Sequence, residues 1–478
     1  MLAVHSRVRR YRRAFASPKD RSPLGHAVVI AAWVLTSAIA AGLILNLLVL
    51  FLTALTLPSD RTAFRDDVRA AFEESIIPTN PDWYTNVYNE CLILSSLVSD
   101  YPSTLVETLT IKPAIGCHAL HAMTGGDDAG AEYYNRYLNG WRIYYAVALR
   151  LSDVRGAFLA TQWTGYALLI VGLAISVLRL RSAWGVAAEH HGDRLECVGF
   201  IAIFLAFLLF FGWDRFGNRP TFALPSILLF VMIIWLSTGS KYALGIKRLS
   251  LIFALFGAAT AQFDFFTGPA PLAFAVTIGA LSLQIRDPDR DTVKMLAAGA
   301  ALVGGFAAAF VSKYAVLYTV LGPEFLEGTV SQLADRVSSA YLDKIDISKL
   351  DQLFPSWRDY IDYPLAPVAL LAGKLLYSSE SIGLGSRIVG SLVILLSLSI
   401  ICYFVVAETV RKRFGSVQVW ATVASVVVIA VWIALFFQHT IIHTRYMVRL
   451  FVWPIAIAFF ILGVYLVDRR REQQSAPH

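Results

Sequence analysis

Asp82 is the residue of this chain whose setting points most directly to chemistry. It lies in the segment 80–86, NPDWYTN, where a carboxylate stands beside aromatic side chains that can stack on sugar rings. A carboxylate can take the proton of an attacking hydroxyl, so we expect Asp82 to be a general base. Glu90 is the second candidate, because a helix would bring it near the same face. Asn-Pro-Asp is also good turn and helix-capping sequence, so a structural role stays open.

A second group of aromatic and basic residues occupies segment 133–142, YYNRYLNGWR. Arginines pair well with phosphate oxygens, and aromatic rings pack against sugars, so the segment could hold a phosphosugar. The candidates for this contact are Tyr134, Arg136 and Tyr137. The alternative is a belt of interfacial aromatics with arginines that extend toward water.

Two charged residues lie in or at the end of apolar segments. Asp264 ends the stretch TAQFD, and Lys313 interrupts the stretch AAAFVSKYAVL. A charge in an apolar span is costly, which makes each a candidate for function. Asp264 could bind an acceptor hydroxyl, a metal or an arginine, and Lys313 could meet a phosphate or neutralise Asp264.

Histidines and arginines alternate in segment 438–449, QHTIIHTRYMVR. His439 and His443 are four residues apart, as are Arg445 and Arg449, so each pair would share one face of a helix. The arginines suit a lipid phosphate, and substrate contact or helix capping fits the histidines. A bare H-x-x-x-H lacks the glutamate of a zinc protease, so we predict no metal site here.

The composition predicts an all-α polytopic membrane protein. Of the 478 residues 57% are hydrophobic and 16% are charged, whereas soluble proteins are about a quarter charged. The apolar residues form blocks near the length that crosses a bilayer as a helix. We predict ten spans, at about 27–55, 157–178, 195–212, 222–238, 249–266, 269–285, 295–319, 385–407, 418–437 and 447–467.

Basic clusters beside the predicted spans set the topology. The positive-inside rule places segment 1–26, the tail 468–478 and the short basic loops in the cytoplasm, with 27–467 as the transmembrane domain. Two large outer loops then follow, at about 58–156 and 320–384. A moderately apolar segment, 361–377, is predicted to lie on the outer membrane surface or to re-enter the membrane. The segment Trp213-Asp214-Arg215 is predicted to anchor the chain at the interface, with a local ion pair.

The net charge and the motifs that are missing argue against two classes of function, and the cysteines suggest a disulfide. The net charge of +7 comes largely from these clusters, which suit anionic lipids, so we expect no nucleic-acid partner. No phosphate-binding loop motif occurs in a suitable context, which argues against ATP-driven transport by this chain alone. Cys91 and Cys117 share the first outer loop and could form a disulfide, or be two small buried thiols.

Several of these segments resemble a set of bacterial many-helix proteins associated with cell-surface polysaccharide synthesis. The resemblance lies in DWYTN from Asp82, YNRYLNGW from Tyr134, TAQFDFFTGP over 260–269 and HTIIHTR from His439. They occur in the same order relative to the spans. The resemblance implies a bacterial cytoplasmic membrane protein of the cell envelope.

The layout is similar to that of the GT-C glycosyltransferases. The resemblance implies a polyprenyl-phosphate sugar as donor, a glycan or lipid as acceptor, Asp82 as base, and Arg136, Arg445 and Arg449 as phosphate or substrate ligands. The chain departs from the pattern at Asn86, where a second acid is usual, and at 138–139 and 438–440. Paired acids would hold a divalent metal, so Asn86 leaves the need for a metal open.

Two other classes of function fit the same sequence. A transporter or flippase for a lipid-linked or small polar solute would explain Asp264, Lys313 and the histidines as polar groups within the membrane. The absence of an internal repeat and the two large outer loops argue against it. A non-catalytic scaffold in an envelope assembly would tolerate substitution of the polar outer residues.

Overall fold

The fold is helical wherever it is described. The structure, a computed structural model, describes residues 23–57, 61–79, 87–101, 104–110, 112, 116–126, 138, 140–184, 191–264, 268–323, 416–435 and 447–475. These ranges contain helices and connecting turns but no strand. The prediction of an all-α protein is therefore confirmed.

Nine of the helices are apolar rods that form a bundle. They are α1 (Pro23–Thr56), α7 (Val154–Trp184), α8 (His191–Phe210), α9 (Pro220–Ser237), α10 (Ile246–Gln262), α11 (Pro269–Leu283), α12 (Pro288–Leu321), α13 (Ser416–Leu435) and α14 (Val452–Ser475). Each overlaps one of the predicted spans. The predicted span at 385–407 and the surface segment 361–377 lie outside the described residues.

Within the described part of the chain, five helices are long and apolar enough to cross a membrane. They are Ala27–Thr56, Val154–Ala183, Pro220–Ser237, Pro288–Leu321 and Arg449–Val467. Two shorter apolar helices are Pro269–Leu283 and Val417–Ile433. Large apolar side chains are exposed along α1 and α7, which suits a lipid surround.

Five shorter helices lie between α1 and α7. They are α2 (Thr62–Glu73), α3 (Tyr88–Val98), α4 (Thr104–Leu109), α5 (Cys117–Thr124) and α6 (Gly140–Leu151). Four of them, α2, α3, α5 and α6, share a second hydrophobic core, distinct from that of the bundle, in which Phe64, Leu94 and Trp141 are buried. The predicted first outer loop is thus a small helical domain, which we call the loop domain.

A disulfide joins two helices of the loop domain. Cys91 on α3 is bonded to Cys117 at the start of α5, with their Cα atoms 5.0 Å apart. Of the two arrangements that the sequence left open for these cysteines, the structure has the disulfide. Cys197, predicted to be a packing residue, is a buried free thiol on α8.

The bundle has two chemically different ends. The loop domain contacts one end, which we call the loop face: Trp141 Nε1 donates to the Phe263 carbonyl at 3.1 Å, and the Thr221 backbone N–H donates to Glu90 at 3.1 Å. At the opposite face, Glu196 accepts from Arg179 at 3.2 Å and from Arg286 at 2.8 Å.

Close backbone contact holds α1, α10 and α12 together. A Cβ added at Gly257 on α10 would lie 1.9 Å from the Leu302 carbonyl oxygen of α12, and one at Gly305 would lie 2.1 Å from that of Ala254. Only glycine permits this approach, and small residues at helix contacts are typical of membrane bundles. A Cβ added at Gly42 on α1 would likewise lie 2.6 Å from the backbone carbonyl carbon of Ala308 on α12, so all three helices pack with their backbones in close contact.

Trp213 has a different role from the one predicted. Its side chain is 2% exposed, its indole N–H donates to the Phe207 carbonyl at 3.1 Å, and its ring packs against Tyr166 and Phe230. The prediction of an interfacial anchor was wrong, because a π-helical turn, Trp213–Gly217, folds the ring back into the core.

Candidate functional site

The described candidates all lie at the loop face. These are Glu90, Asp264, Lys313 and Arg449. The other predicted site residues lie outside the described residues: Asp82, Tyr134, Arg136, Tyr137, His439, His443 and Arg445. The roles of these seven stay predictions.

Glu90 is enclosed between the loop domain and the bundle. Its side chain is 0% exposed, Oε2 accepts from the Tyr145 hydroxyl, and Oε1 accepts from both the hydroxyl and the backbone N–H of Thr221, the latter at 3.1 Å. Burial is the main cause that raises the pKa of Glu90, and its hydrogen bonds together with nearby Arg219 oppose the rise. Three donors satisfy the carboxyl, so its described role is to tie α3 to α6 and α9.

A buried arginine lies at the centre of the loop domain. Arg142 Nη1 donates to the carbonyl oxygens of Glu107 at 2.6 Å and Thr110 at 3.0 Å. Burial lowers the pKa of its guanidinium, which stays charged at physiological pH because the ordinary value is so high. The alternative of an arginine that extends toward water therefore does not apply to Arg142, which is 0% exposed.

Glu107 is the buried carboxylate among these basic groups, and the exposed Asp100 also lies 3.7 Å from Arg61 Nη1. Glu107 Oε1 lies 2.5 Å from Arg61 Nη2 and 3.7 Å from Arg142 Nη2. The ring of Tyr101 lies between the two guanidinium groups, 5.3 and 5.4 Å from them. Burial raises the pKa of the Tyr101 hydroxyl, so the tyrosine is neutral and adds no negative charge.

Lys313 adds a third basic side chain to this set. It is buried on α12, and Arg142 is near enough for the two like charges to repel. We call Arg61, Arg142 and Lys313 the basic cluster. Within the described residues, Glu107 is the carboxylate that directly pairs with two members of the cluster and is itself buried. Such an arrangement favours an anionic ligand.

A small cavity opens beside Lys313 at the loop end of α1 and α12. Its volume is about 20 Å³, room for one water-sized group. Its polar walls are Asn46, Gln262 and Lys313. Its apolar walls are Val49, Leu50, Leu109, Leu138, Val316 and Leu317. Leu138 follows Tyr137 directly in the sequence, so the predicted phosphosugar segment adjoins this cavity.

Asp264 lies just beyond the end of α10 and caps the next helix. Its Oδ2 accepts from the backbone N–H of Ala270 at 3.0 Å, in the first turn of α11. A carboxylate at a helix N-terminus is stabilised by the helix dipole. The segment also receives Trp141, and a Cβ at Gly140 would lie 2.7 Å from the Gln262 carbonyl oxygen. Two of the motifs are thus in direct contact.

Arg449 is covered by aromatic rings at the same face. Its guanidinium lies 4.7 Å from the ring centres of Phe216 and Phe222 and 5.7 Å from that of Phe211. Such contacts stabilise a buried cation. Next to it, Met447 and Leu450 pack 3.5 Å from the Cβ position of Gly268. The histidine and arginine motif therefore meets the Asp264 segment.

Several residues of this site were not found from the sequence. Arg61, Glu107 and Tyr145 occur in unremarkable surroundings along the chain, and only folding brings them together with Gln262. The signal that the sequence did contain was the polar Gln262 within an apolar span. Among the described residues, no group of three His, Cys, Asp or Glu side chains could hold a metal ion.

Comparisons of this chain with protein-family models, with curated proteins and with solved structures find no match.

Proposed function

We propose that this chain is an inverting glycosyltransferase that moves a sugar from a polyprenyl-phosphate carrier to an extracytoplasmic glycan or lipid acceptor. The observation that supports the proposal most is the basic cluster at the loop face. Its members are largely buried, and Lys313 lines a cavity whose apolar walls come from α1, α4, α12 and Leu138. A phosphate at the head of a membrane lipid is the anion that such a place suits.

The convergence of the sequence motifs supports the same proposal. The described ends of the 133–142, 260–269 and 438–449 segments contact one another at the loop face. Glu90, eight residues after Asp82, is fixed at that face by Thr221. A transfer site needs a base, a phosphate site and an aromatic sugar platform together, and these segments carry those residue types.

The proposed reaction is a direct displacement at the sugar. The acceptor oxygen bonds to the anomeric carbon while the bond from that carbon to the phosphate oxygen breaks. Asp82 takes the proton of the acceptor hydroxyl. Prenyl phosphate leaves, and we assign Arg136, Arg445 and Lys313 to stabilise its charge. Because the carboxyl of Glu90 is enclosed by three donors, we place Asp82 first as the base.

The proposal includes the finer architecture and location. The ten spans and the cytoplasmic termini are predicted from the sequence, and the GT-C-like arrangement and the bacterial cytoplasmic membrane are what the family resemblance implies. In this scheme the loop face is extracytoplasmic, which is where lipid-linked sugars meet their acceptors.

A transporter is the second candidate, favoured by the polar residues Asn46, Gln262 and Lys313 within apolar helices. Transport needs a route that opens at both ends of the bundle. The opposite face is tied across α7, α8 and the α11–α12 connection by Glu196, Arg179 and Arg286. We therefore favour a sugar transfer reaction at the loop face over transport of a solute through the bundle.

Mass spectrometry of surface glycans and lipid-linked intermediates tests the proposal in cells. A deletion strain would carry the wild type, Asp82→Asn or, as a control from the same loop, Asp66→Asn. Asp66 is exposed and pairs only loosely with Arg69 at 3.5 Å. We expect Asp82→Asn to lose one defined sugar and to accumulate its prenyl-phosphate donor, as the empty strain does. Unchanged glycans in the empty strain would refute a surface-glycan transferase.

A further inference from the structure

The amide orientation of Asn46 can be assigned from its surroundings. Its side-chain nitrogen lies 2.6 Å from the backbone carbonyl oxygen of Ala309, which can only accept a hydrogen bond. The nitrogen must therefore be Nδ2, and Oδ1 must be the acceptor that faces Gln262. The two ends of an amide cannot be told apart by shape, so this contact is what fixes the choice.

The orientation of Asn46 fixes that of Gln262. Gln262 Nε2 donates to Asn46 Oδ1 at 2.7 Å. The other end of the amide, Oε1, is therefore the atom that can accept a different hydrogen bond. Among the described residues Oε1 has no hydrogen-bond partner, although the side chain is 2% exposed. A buried acceptor left without a donor costs about 1–3 kcal/mol. The arrangement is therefore suited to a donor that a ligand supplies.

That acceptor and a buried donor belong to two side chains that line the cavity described above. Gln262 and Lys313 both line it, and its volume of about 20 Å³ suits one oxygen-sized group. A lysine side chain offers only hydrogen-bond donors, and Gln262 Oε1 offers only an acceptor. The group that satisfies both must accept one hydrogen bond and donate another. A hydroxyl does this, whereas a fully ionised phosphate oxygen cannot donate to Gln262.

We propose that this cavity binds a hydroxyl group of an amphipathic ligand, with Gln262 accepting from that hydroxyl and Lys313 donating to it. The half-buried apolar walls Val49, Leu50 and Val316 lie on α1 and α12, where the ligand's chain would rest. Asn46 is a positioning residue that holds the Gln262 amide in its orientation. The site recognises a hydroxyl group next to the residues that we propose bind phosphate. Only the assignment of that hydroxyl to a sugar rests on the proposed function.

Two sources could supply the hydroxyl, a sugar on prenyl phosphate or the glycerol head of a membrane lipid. Native mass spectrometry of the full chain would measure the binding of two pairs of probe lipids, one pair for each source. One pair is farnesyl phosphate against farnesyl phosphate carrying each of a panel of hexoses and pentoses. The other is phosphatidic acid against phosphatidylglycerol. Within each pair only the second probe has the added hydroxyl groups.

The variant is Gln262→Met, which keeps the length of the side chain and removes the acceptor. The matched control is Ser312→Ala, which removes a hydroxyl that Asn46 contacts but that does not line the cavity. We expect Gln262→Met to weaken binding of one or more glycosyl probes about 10-fold, the effect of one lost hydrogen bond. Binding of farnesyl phosphate should be unchanged, and Ser312→Ala should match the wild type.

The other outcomes are distinct from one another. A loss confined to phosphatidylglycerol would keep the hydroxyl site but contradict the proposed glycosyl function. Equal loss for both members of each pair, or none, would overturn the hydroxyl site. If Gln262→Met does not fold, a cryo-EM map of the wild type with each hydroxyl-bearing probe would show whether the hydroxyl site is occupied. A ligand oxygen should lie within hydrogen-bond distance of Gln262 Oε1 and Lys313 Nζ, and a map with solvent alone there would overturn the proposal.

Discussion

At the residue scale, the loop face buries ionisable side chains whose hydrogen-bond partners come from several helices. Glu90 receives three hydrogen bonds, and Arg142 binds backbone carbonyl groups while it pairs with Glu107. A buried charge of this kind is tolerated only when its partners are in place. These residues therefore report on whether the loop domain is docked on the bundle.

The raised pKa of Glu90 has a consequence for stability. The neutral form is favoured in the folded protein, so the stabilisation from Glu90 is fully present below its ordinary pKa of 4.5 and is lost as pH rises through the folded value. Relative to Glu90→Gln, which is neutral throughout, the wild type should lose melting temperature as pH increases. Thermal melts of both proteins from pH 4 to pH 9 would measure this, and parallel curves would contradict the burial effect.

At the element scale, two kinds of contact set the positions of the site helices. The disulfide fixes α3 against α5, and glycines allow α10 and α12 to touch. The first acts within the loop domain and the second within the bundle. Each can be changed separately.

Loss of the disulfide should destabilise the loop domain. Cys91→Ser with Cys117→Ser opens a link over 26 residues, and a loop of this length is worth about 2–4 kcal/mol. We expect a lower melting temperature for the double variant, and the same decrease for the wild type in reductant. The double variant should not respond to reductant. A wild type whose melting is also insensitive to reductant would mean that the bond does not contribute.

A single methyl group tests the contact between α10 and α12. Gly257→Ala would place its Cβ 1.9 Å from a backbone oxygen, so the helices must separate, at a cost of about 1–3 kcal/mol. Gly245→Ala is the matched control, because nothing lies within 4 Å of its Cβ position. Thermal melts should show a clear decrease for the first and almost none for the second. Equal melting temperatures would mean that these helices are not in close contact.

The sequence predicts the rods better than it predicts the site. Hydrophobic length alone placed nine of the described helices, since a bilayer imposes that length on any span. Trp213 is buried because of a local π-helical turn. Arg142 is buried because it bonds to backbone carbonyl groups that are distant in the sequence. Hydrophobic periodicity predicts neither arrangement. Glu107 and Gln262 were missed for the same reason, because their partners are distant in sequence.

At the scale of the whole molecule, the account requires the loop face to be outside the cell. The two faces differ in composition, and the positive-inside rule assigns the opposite face to the cytoplasm. Every proposed substrate contact that the structure describes lies at the loop face. Its orientation is therefore a condition for the proposed function.

Cysteine labelling tests the orientation directly. Glu73→Cys is exposed on the loop domain, and Thr238→Cys is exposed at the opposite face. In intact spheroplasts, a membrane-impermeant thiol reagent should label the first and not the second, and permeabilised cells should allow both. The parent chain gives the background. The reverse pattern would place the loop domain in the cytoplasm and remove the proposed acceptor side.

The most direct test of the central claim is to follow both halves of a labelled donor in proteoliposomes. Prenyl-phosphate sugars, labelled separately in the lipid and in the sugar, would be supplied with a glycan and lipid extract of the deletion strain. We predict that the wild type releases prenyl phosphate and forms a new glycoside. Lys313→Met should reduce this rate by about 10²-fold, because a cation at the leaving phosphate is lost. Lys241→Met, at the opposite face, should leave the rate unchanged. Donor that crosses the bilayer intact, with no sugar transferred, would contradict the account and identify a transporter.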